Sequence, residues 1–126
     1  MSNKTVLIVD DSLTVRQQVS LTLKSAGYQI VEACDGREGV DALRGHAEIA
    51  MVLCDLKMPC MDGLGFLETI RGDAVGPPVP VVMLTTDGSP DLIARAKRAG
   101  AKGWIVKPFQ PDLLLAAVRR IAGEPG

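Results

Sequence analysis

The sequence predicts an α/β protein, doubly wound, with a parallel sheet covered by helices on both faces. Three observations carry this. Apolar, β-branched runs alternate five times with stretches of helical periodicity. Repeated strand–helix–strand units demand right-handed crossovers, which lay helices on the two sides of one sheet. The inner runs, Val6-Leu7-Ile8-Val9 and Met51-Val52-Leu53-Cys54, are apolar throughout, as strands buried on both sides are. Finally, polar groups recur where the runs stop: Asp10-Asp11, Asp55, Thr85 and Lys107.

In chain order, residues 5–9 form the first strand, and Ser12 after the acid pair is placed to cap a helix. Val15, Val19, Leu23 and Ala26 give that helix its apolar stripe, and Gly27 closes it. Residues 29–33 are shorter and more polar, as suits a strand at a sheet edge. Asp35-Gly36 turns the chain into a second helix marked by Val40 and Leu43. Residues 49–54 are the third strand, and Leu64, Leu67 and Ile70 mark the helix after Gly63. A turn-rich loop leads to a fourth strand at residues 80–84. Ser89-Pro90 then opens the fourth helix, with serine at the cap and proline at the first helical position. Ile93 and Ala96 face inward there. Residues 103–106 are the fifth strand. Pro111-Asp112 starts the last helix, whose core face carries Leu114, Val118 and Ile121.

A chain of 126 residues, 47% apolar, suits a single domain spanning residues 1–126. A net charge of −1, with acids and bases intermixed, excludes the basic patch that nucleic-acid binding needs. The first residues lack a signal-peptide apolar core. The longest apolar runs, such as residues 79–84, are too short to span a bilayer. A soluble cytoplasmic protein, free of membrane contact, is the expectation. Cys34, Cys54 and Cys60 are odd in number and lack a C-x-x-C spacing, so they read as packing residues in a reducing compartment, with Cys60 the most exposed. The single histidine, His46, reads as a solvated loop residue.

Parallel strands share direction, so the strand-end residues converge on one edge. There ligands bind in open α/β sheets. Three converging carboxylates repel unless a cation joins them. Oxygen donors with room for water suit Mg²⁺. Lysine supplies a point charge for an anion, and the threonine hydroxyl can donate to a phosphoryl oxygen. The set of Asp10, Asp11, Asp55, Thr85 and Lys107 reads as a phosphoryl-transfer site with the Asp55 carboxylate as nucleophile.

The chain resembles CheY-type response-regulator receiver domains of two-component signalling over residues 4–122, the core of the single domain. The matching stretches are Val9-Asp10-Asp11-Ser12, Asp55 with Met58-Pro59 and Met61-Asp62-Gly63, Leu84-Thr85, Gly100-Ala101, and Lys107-Pro108-Phe109. The resemblance implies a strand order 2-1-3-4-5 and phosphorylation of Asp55 by a histidine kinase. It implies Mg²⁺ held by Asp11 and Asp55, by Asp10 mostly through water, and by the backbone carbonyl of Lys57. Lys107 would contact the phosphoryl group, Thr85 would move toward it, and the aromatic residue Trp104 would swing inward in response. The Lys107–Pro108 bond is expected to be cis. Such a domain assists its own phosphorylation and dephosphorylation but is not an enzyme with a separate substrate.

Some positions depart from the usual pattern. Trp104 stands where the family more often has tyrosine or phenylalanine. Lys57 and Asp87 flank the phosphoryl position and are expected to pair and tune its lifetime. Lys102-Gly103 precede Trp104 where dimerising transcription-factor receivers commonly carry acids. A stand-alone, monomeric, chemotaxis-like regulator is therefore expected. Its downstream protein target would bind the face of helix four, strand five and helix five, where Leu113, Leu115 and Ala116 lie off the core stripe. The alternatives are a Mg²⁺-dependent phosphohydrolase or phosphotransferase on the same fold, and a flavodoxin-like electron carrier. Acids stand where the latter needs a phosphate cradle, and aromatics are only 3%.

Overall fold

The computed structural model describes residues 4–58, 60–72, 78–86 and 88–125. Five strands, β1 (Thr5–Val9), β2 (Gln29–Ala33), β3 (Ile49–Asp55), β4 (Val81–Thr85) and β5 (Gly103–Val106), alternate with α1 (Leu13–Ser25), α2 (Gly36–Gly45), α3 (Gly63–Gly72), α4 (Pro90–Arg98) and α5 (Pro111–Ala122). The strands form one parallel sheet in the order β2-β1-β3-β4-β5. The doubly wound architecture and the strand order are as expected.

Alternation along the strands divides the core in two. Leu7, Val9, Val52, Cys54, Val81 and Met83 point to the face covered by α2, α3 and α4, where Val40, Phe66, Leu67 and Ile70 pack. Val6, Ile8, Met51, Leu53, Val82 and Leu84 point to the other face and meet Val19 and Leu23 of α1 and Leu114 and Val118 of α5. With both faces covered, the central strands have no solvent side, which is why their sequences show no polar alternation.

Local chemistry sets the helix ends. The Ser12 hydroxyl accepts the Val15 amide at 3.3 Å. Gly27 has φ of +103°, a value that favours glycine after a helix. Asp35, read from sequence as a turn residue, caps α2. Its carboxylate accepts the Glu38 amide at 2.9 Å, while the Glu38 carboxylate reaches back to the Cys34 amide at 2.9 Å.

Three details differ from the sequence reading. β3 runs one residue further and includes Asp55 itself, because pairing with Leu84 of β4 continues to that point. β4 begins at Val81, since Pro80 has no amide to donate and contributes its carbonyl to Val52 instead. On α4, Ala96 is buried, but Ile93 is only half-buried and Leu92 is the neighbour that packs against the core. A nine-residue helix over a sheet edge has a narrow contact stripe, and its rotation is set by the sheet rather than by its own periodicity.

Candidate functional site

The C-terminal edge of the sheet brings the strand-end residues together. Asp10 follows β1 and is fully buried, whereas its neighbour Asp11 is exposed. Asp55 ends β3 with 8% exposure, Thr85 ends β4 almost completely buried, and Lys107 follows β5. One carboxylate oxygen each from Asp10, Asp11 and Asp55 lies within 4.8 Å of the others. The Lys107 ammonium is 2.7 Å from Asp10 Oδ2 and 3.3 Å from Asp55 Oδ2.

Several backbone contacts hold this arrangement. Asp10 Oδ1 accepts the Ser12 amide at 2.8 Å, so the acid that ends β1 is fixed by the turn into α1. The Lys57 amide lies 3.4 Å from Asp55 Oδ1. The Lys107 amide donates to the Thr85 carbonyl at 2.7 Å, which locks the lysine to the end of β4. The loop after β3 folds back on itself, with the Gly63 amide donating to the Leu56 carbonyl at 3.0 Å. A Cβ at Gly63 would collide with the backbone oxygen of Asp55, so only glycine lets α3 begin this close to the acid. The Lys107–Pro108 peptide is cis.

Electrostatics follow from burial and from the sharing of one lysine. Burial raises the pKa of Asp55 above the ordinary carboxylate value, and the negative charge of Asp10 adds to this. Lys107 and the Lys57 amide offset part of the rise. Burial alone would lower the Lys107 pKa, but its bonds to Asp10 and Asp55 outweigh it and the net shift is upward. Three clustered acids, two of them against the Lys107 ammonium, leave an excess of negative charge that a divalent cation would relieve. The donors are all oxygen, so the residues fit a hard ion such as Mg²⁺. Cys54, beside Asp55, is completely buried, and burial together with Asp55 and Asp10 pushes its thiol well above the ordinary value. It is inert packing.

Two contributors were not anticipated. Arg16 on α1 donates to the Asp10 carbonyl at 2.6 Å and to the Glu32 carboxylate at 3.2 Å, tying the site's first strand to the edge strand β2. Only the nearness of an arginine to Asp10-Asp11 could have hinted at it. Gly36 donates to the Met61 carbonyl at 3.0 Å, so the start of α2 steadies the loop after β3. Trp104 lies on β5 with 40% of its surface exposed. Leu113 and Ala116 are exposed as expected, while Leu115 is half-buried against the α1–α5 core. Cys60 is exposed, and His46 sits at the surface 3.0 Å from Glu48. Lys57 is exposed; Asp87, its expected partner, lies outside the described residues.

Residues 6–119 match the family model of the response regulator receiver domain. The chain belongs to the response-regulator receiver family. As a receiver it is a component of two-component signalling, and chemotaxis proteins are among its relatives. It is 34% identical over 119 residues to the chemotaxis protein CheY1 of Helicobacter pylori, covering 94% of this chain and 96% of that protein. It is 33% identical to the CheY homolog of Campylobacter jejuni, covering 94% and 92%. Among solved structures, the chemotaxis protein CheY4 of Vibrio cholerae superposes with a TM-score of 0.89 at 39% identity, covering 95% of this chain and 99% of that one. The CheY of a CheX–CheY–BeF₃–Mg²⁺ complex from Borrelia burgdorferi gives 0.84 at 33% identity, covering 93% and 87%. Among the described residues of this receiver, no helix is long and apolar enough to cross a membrane.

Proposed function

We propose that Asp55 accepts a phosphoryl group from a histidine kinase in a Mg²⁺-dependent reaction, and that this switches a protein-binding face made by α4, β5 and α5. The observation that carries the reading is the placement of the Asp55 carboxylate. It ends a central, buried strand, 3.3 Å from the Lys107 ammonium and within 4.8 Å of oxygens from two further acids.

The chemistry is an in-line transfer. A carboxylate oxygen of Asp55 forms a bond to phosphorus as the bond from phosphorus to the donor's histidine nitrogen breaks, and that nitrogen keeps the electron pair. Asp10, Asp11, Asp55 and the Lys57 backbone carbonyl are the residues that would hold Mg²⁺. When bound, the ion supplies positive charge to the carboxylates and the phosphoryl oxygens. Lys107 turns its ammonium to the phosphoryl oxygens, and Thr85 Oγ donates a hydrogen bond to one of them. Positioning does most of the work, because the strand ends are rigid. The added charge shifts the population toward a form with Thr85 and Trp104 drawn inward. Lys57, two residues after Asp55 in the chain, and Asp87, two residues after Thr85, are the side chains assigned to slowing the approach of water. The family match does not favour a separate phosphohydrolase activity.

Trp104 is the single tryptophan and reports on the switch. Beryllofluoride or acetyl phosphate with Mg²⁺ is expected to change its fluorescence in the native chain, and the Asp55→Asn chain is expected to lose the response completely. A response that survives in Asp55→Asn, or the absence of any Mg²⁺-dependent phosphoprotein by mass, would overturn the reading.

A further inference from the structure

Trp104 does not stand alone on the outer part of the sheet. The ammonium of Lys97 lies 4.6 Å from the centroid of its ring. Lys97 belongs to the last turn of α4 and Trp104 to the edge strand β5, so this contact ties helix to strand. Among the described residues, no carboxylate forms an ion pair with Lys97. Arg95 and Arg98 share its turn. Neighbouring cations repel, and the electron-rich face of the indole is the favourable place left for the ammonium. Among the aromatic side chains tryptophan offers the strongest such face.

We infer that Lys97 is a positioning residue for Trp104: its ammonium, seated on the indole, holds the ring on the outer side of β5 in the resting receiver and opposes its inward swing. The inference rests on the reading of Trp104 as the switch aromatic. An ammonium–indole contact at a half-exposed site favours the outward ring by about two- to fivefold. An inward ring must leave the ammonium behind, so the contact counts only on the resting side of the equilibrium. Substitution of the family's more usual tyrosine or phenylalanine by tryptophan then has a physical consequence, a resting state held more firmly.

The test uses the full chain with Lys97→Met, which keeps the length and apolar cover of the side chain, and Lys97→Arg, which keeps the cation. Lys97 is exposed, so neither substitution puts the fold at stake. The first measurement is made without phosphorylation, in chains that also carry Asp55→Asn: the tryptophan emission maximum and its quenching by acrylamide, a neutral probe that ignores local charge. Lys97→Met is expected to shift the emission to the blue and reduce quenching, and Lys97→Arg to match the parent. The second measurement is a beryllofluoride titration with Mg²⁺ in chains that retain Asp55. The half-maximal concentration is expected to fall about two- to fivefold in Lys97→Met and to stay unchanged in Lys97→Arg. Identical emission and quenching in Lys97→Met and its parent would overturn the inference, as would Lys97→Arg behaving like Lys97→Met. If the native chain fails to respond to beryllofluoride, the phosphorylation reading fails, while the first measurement still decides the role of Lys97.

Discussion

The centre of the sheet and its β5 edge are built to opposite specifications. Val6, Leu7, Ile8 and Val9 of β1 and Met51 to Cys54 of β3 have no exposed surface. On β5, Trp104 is 40% and Val106 50% exposed. Asp55, the proposed reacting group, is attached to the first region, and Trp104, the proposed reporting group, to the second. A carboxylate that must meet an incoming phosphoryl group gains from a fixed position, and strands packed on both faces give it one. A side chain that must change position needs surroundings with few buried contacts, which an edge strand of four residues provides.

The contrast can be broken first by stability. Leu53→Ala, in the centre, is expected to cost about 2–5 kcal/mol in denaturant unfolding, because the sheet and α1 and α5 cannot collapse into the space left. Val106→Ala, at the edge, is expected to change stability by no more than about 0.5 kcal/mol. Similar losses at the two sites would show that the edge is as tightly determined as the centre.

A smaller effect is expected at the charges. Lys107→Met leaves Asp10, fully buried, and Asp55 without their shared cation. A loss of about 1–3 kcal/mol without metal is expected. Mg²⁺ is expected to raise the melting temperature of this variant more than that of the native chain, since the ion replaces the missing positive charge. An equal response to Mg²⁺ in both chains would mean that lysine and metal answer to different groups.

The smallest effect is that of pH. Asp55 has a raised pKa in the folded chain, first through burial and then through Asp10. Between the ordinary carboxylate value and the raised one, the folded state holds a proton that the unfolded state has released. In metal-free protein this contribution to stability is present at low pH and is lost as pH rises through the folded value. Mg²⁺ needs the ionised form, so its binding is expected to weaken on acidification at a higher pH than an ordinary aspartate would give. In Asp55→Asn that step in the metal titration is expected to vanish; its persistence would assign the proton to another group.

Much of this was legible in the chain itself. Alternating apolar runs and helical stripes gave all ten elements, because a buried strand and a half-buried helix leave different periods in a sequence. The strand-end acids and Lys107 were legible for the same reason: polar residues directly after apolar runs fall on one edge of a parallel sheet. Ile93 was not, because an edge helix with one buried residue carries too little pattern to fix its rotation. Arg16 was not, because its two partners, the Asp10 carbonyl and Glu32, meet only when β2 pairs with β1.

The sequence by itself determined which residues could form the site and that they would share an edge, since periodicity and chain direction are local properties. Only the tertiary structure decided how they share it. One lysine lies between Asp10 and Asp55, Gly63 lets a helix start against the acid, and the Lys97 ammonium comes to rest on Trp104. These are contacts between residues brought together by packing, and no spacing along the chain encodes their distances.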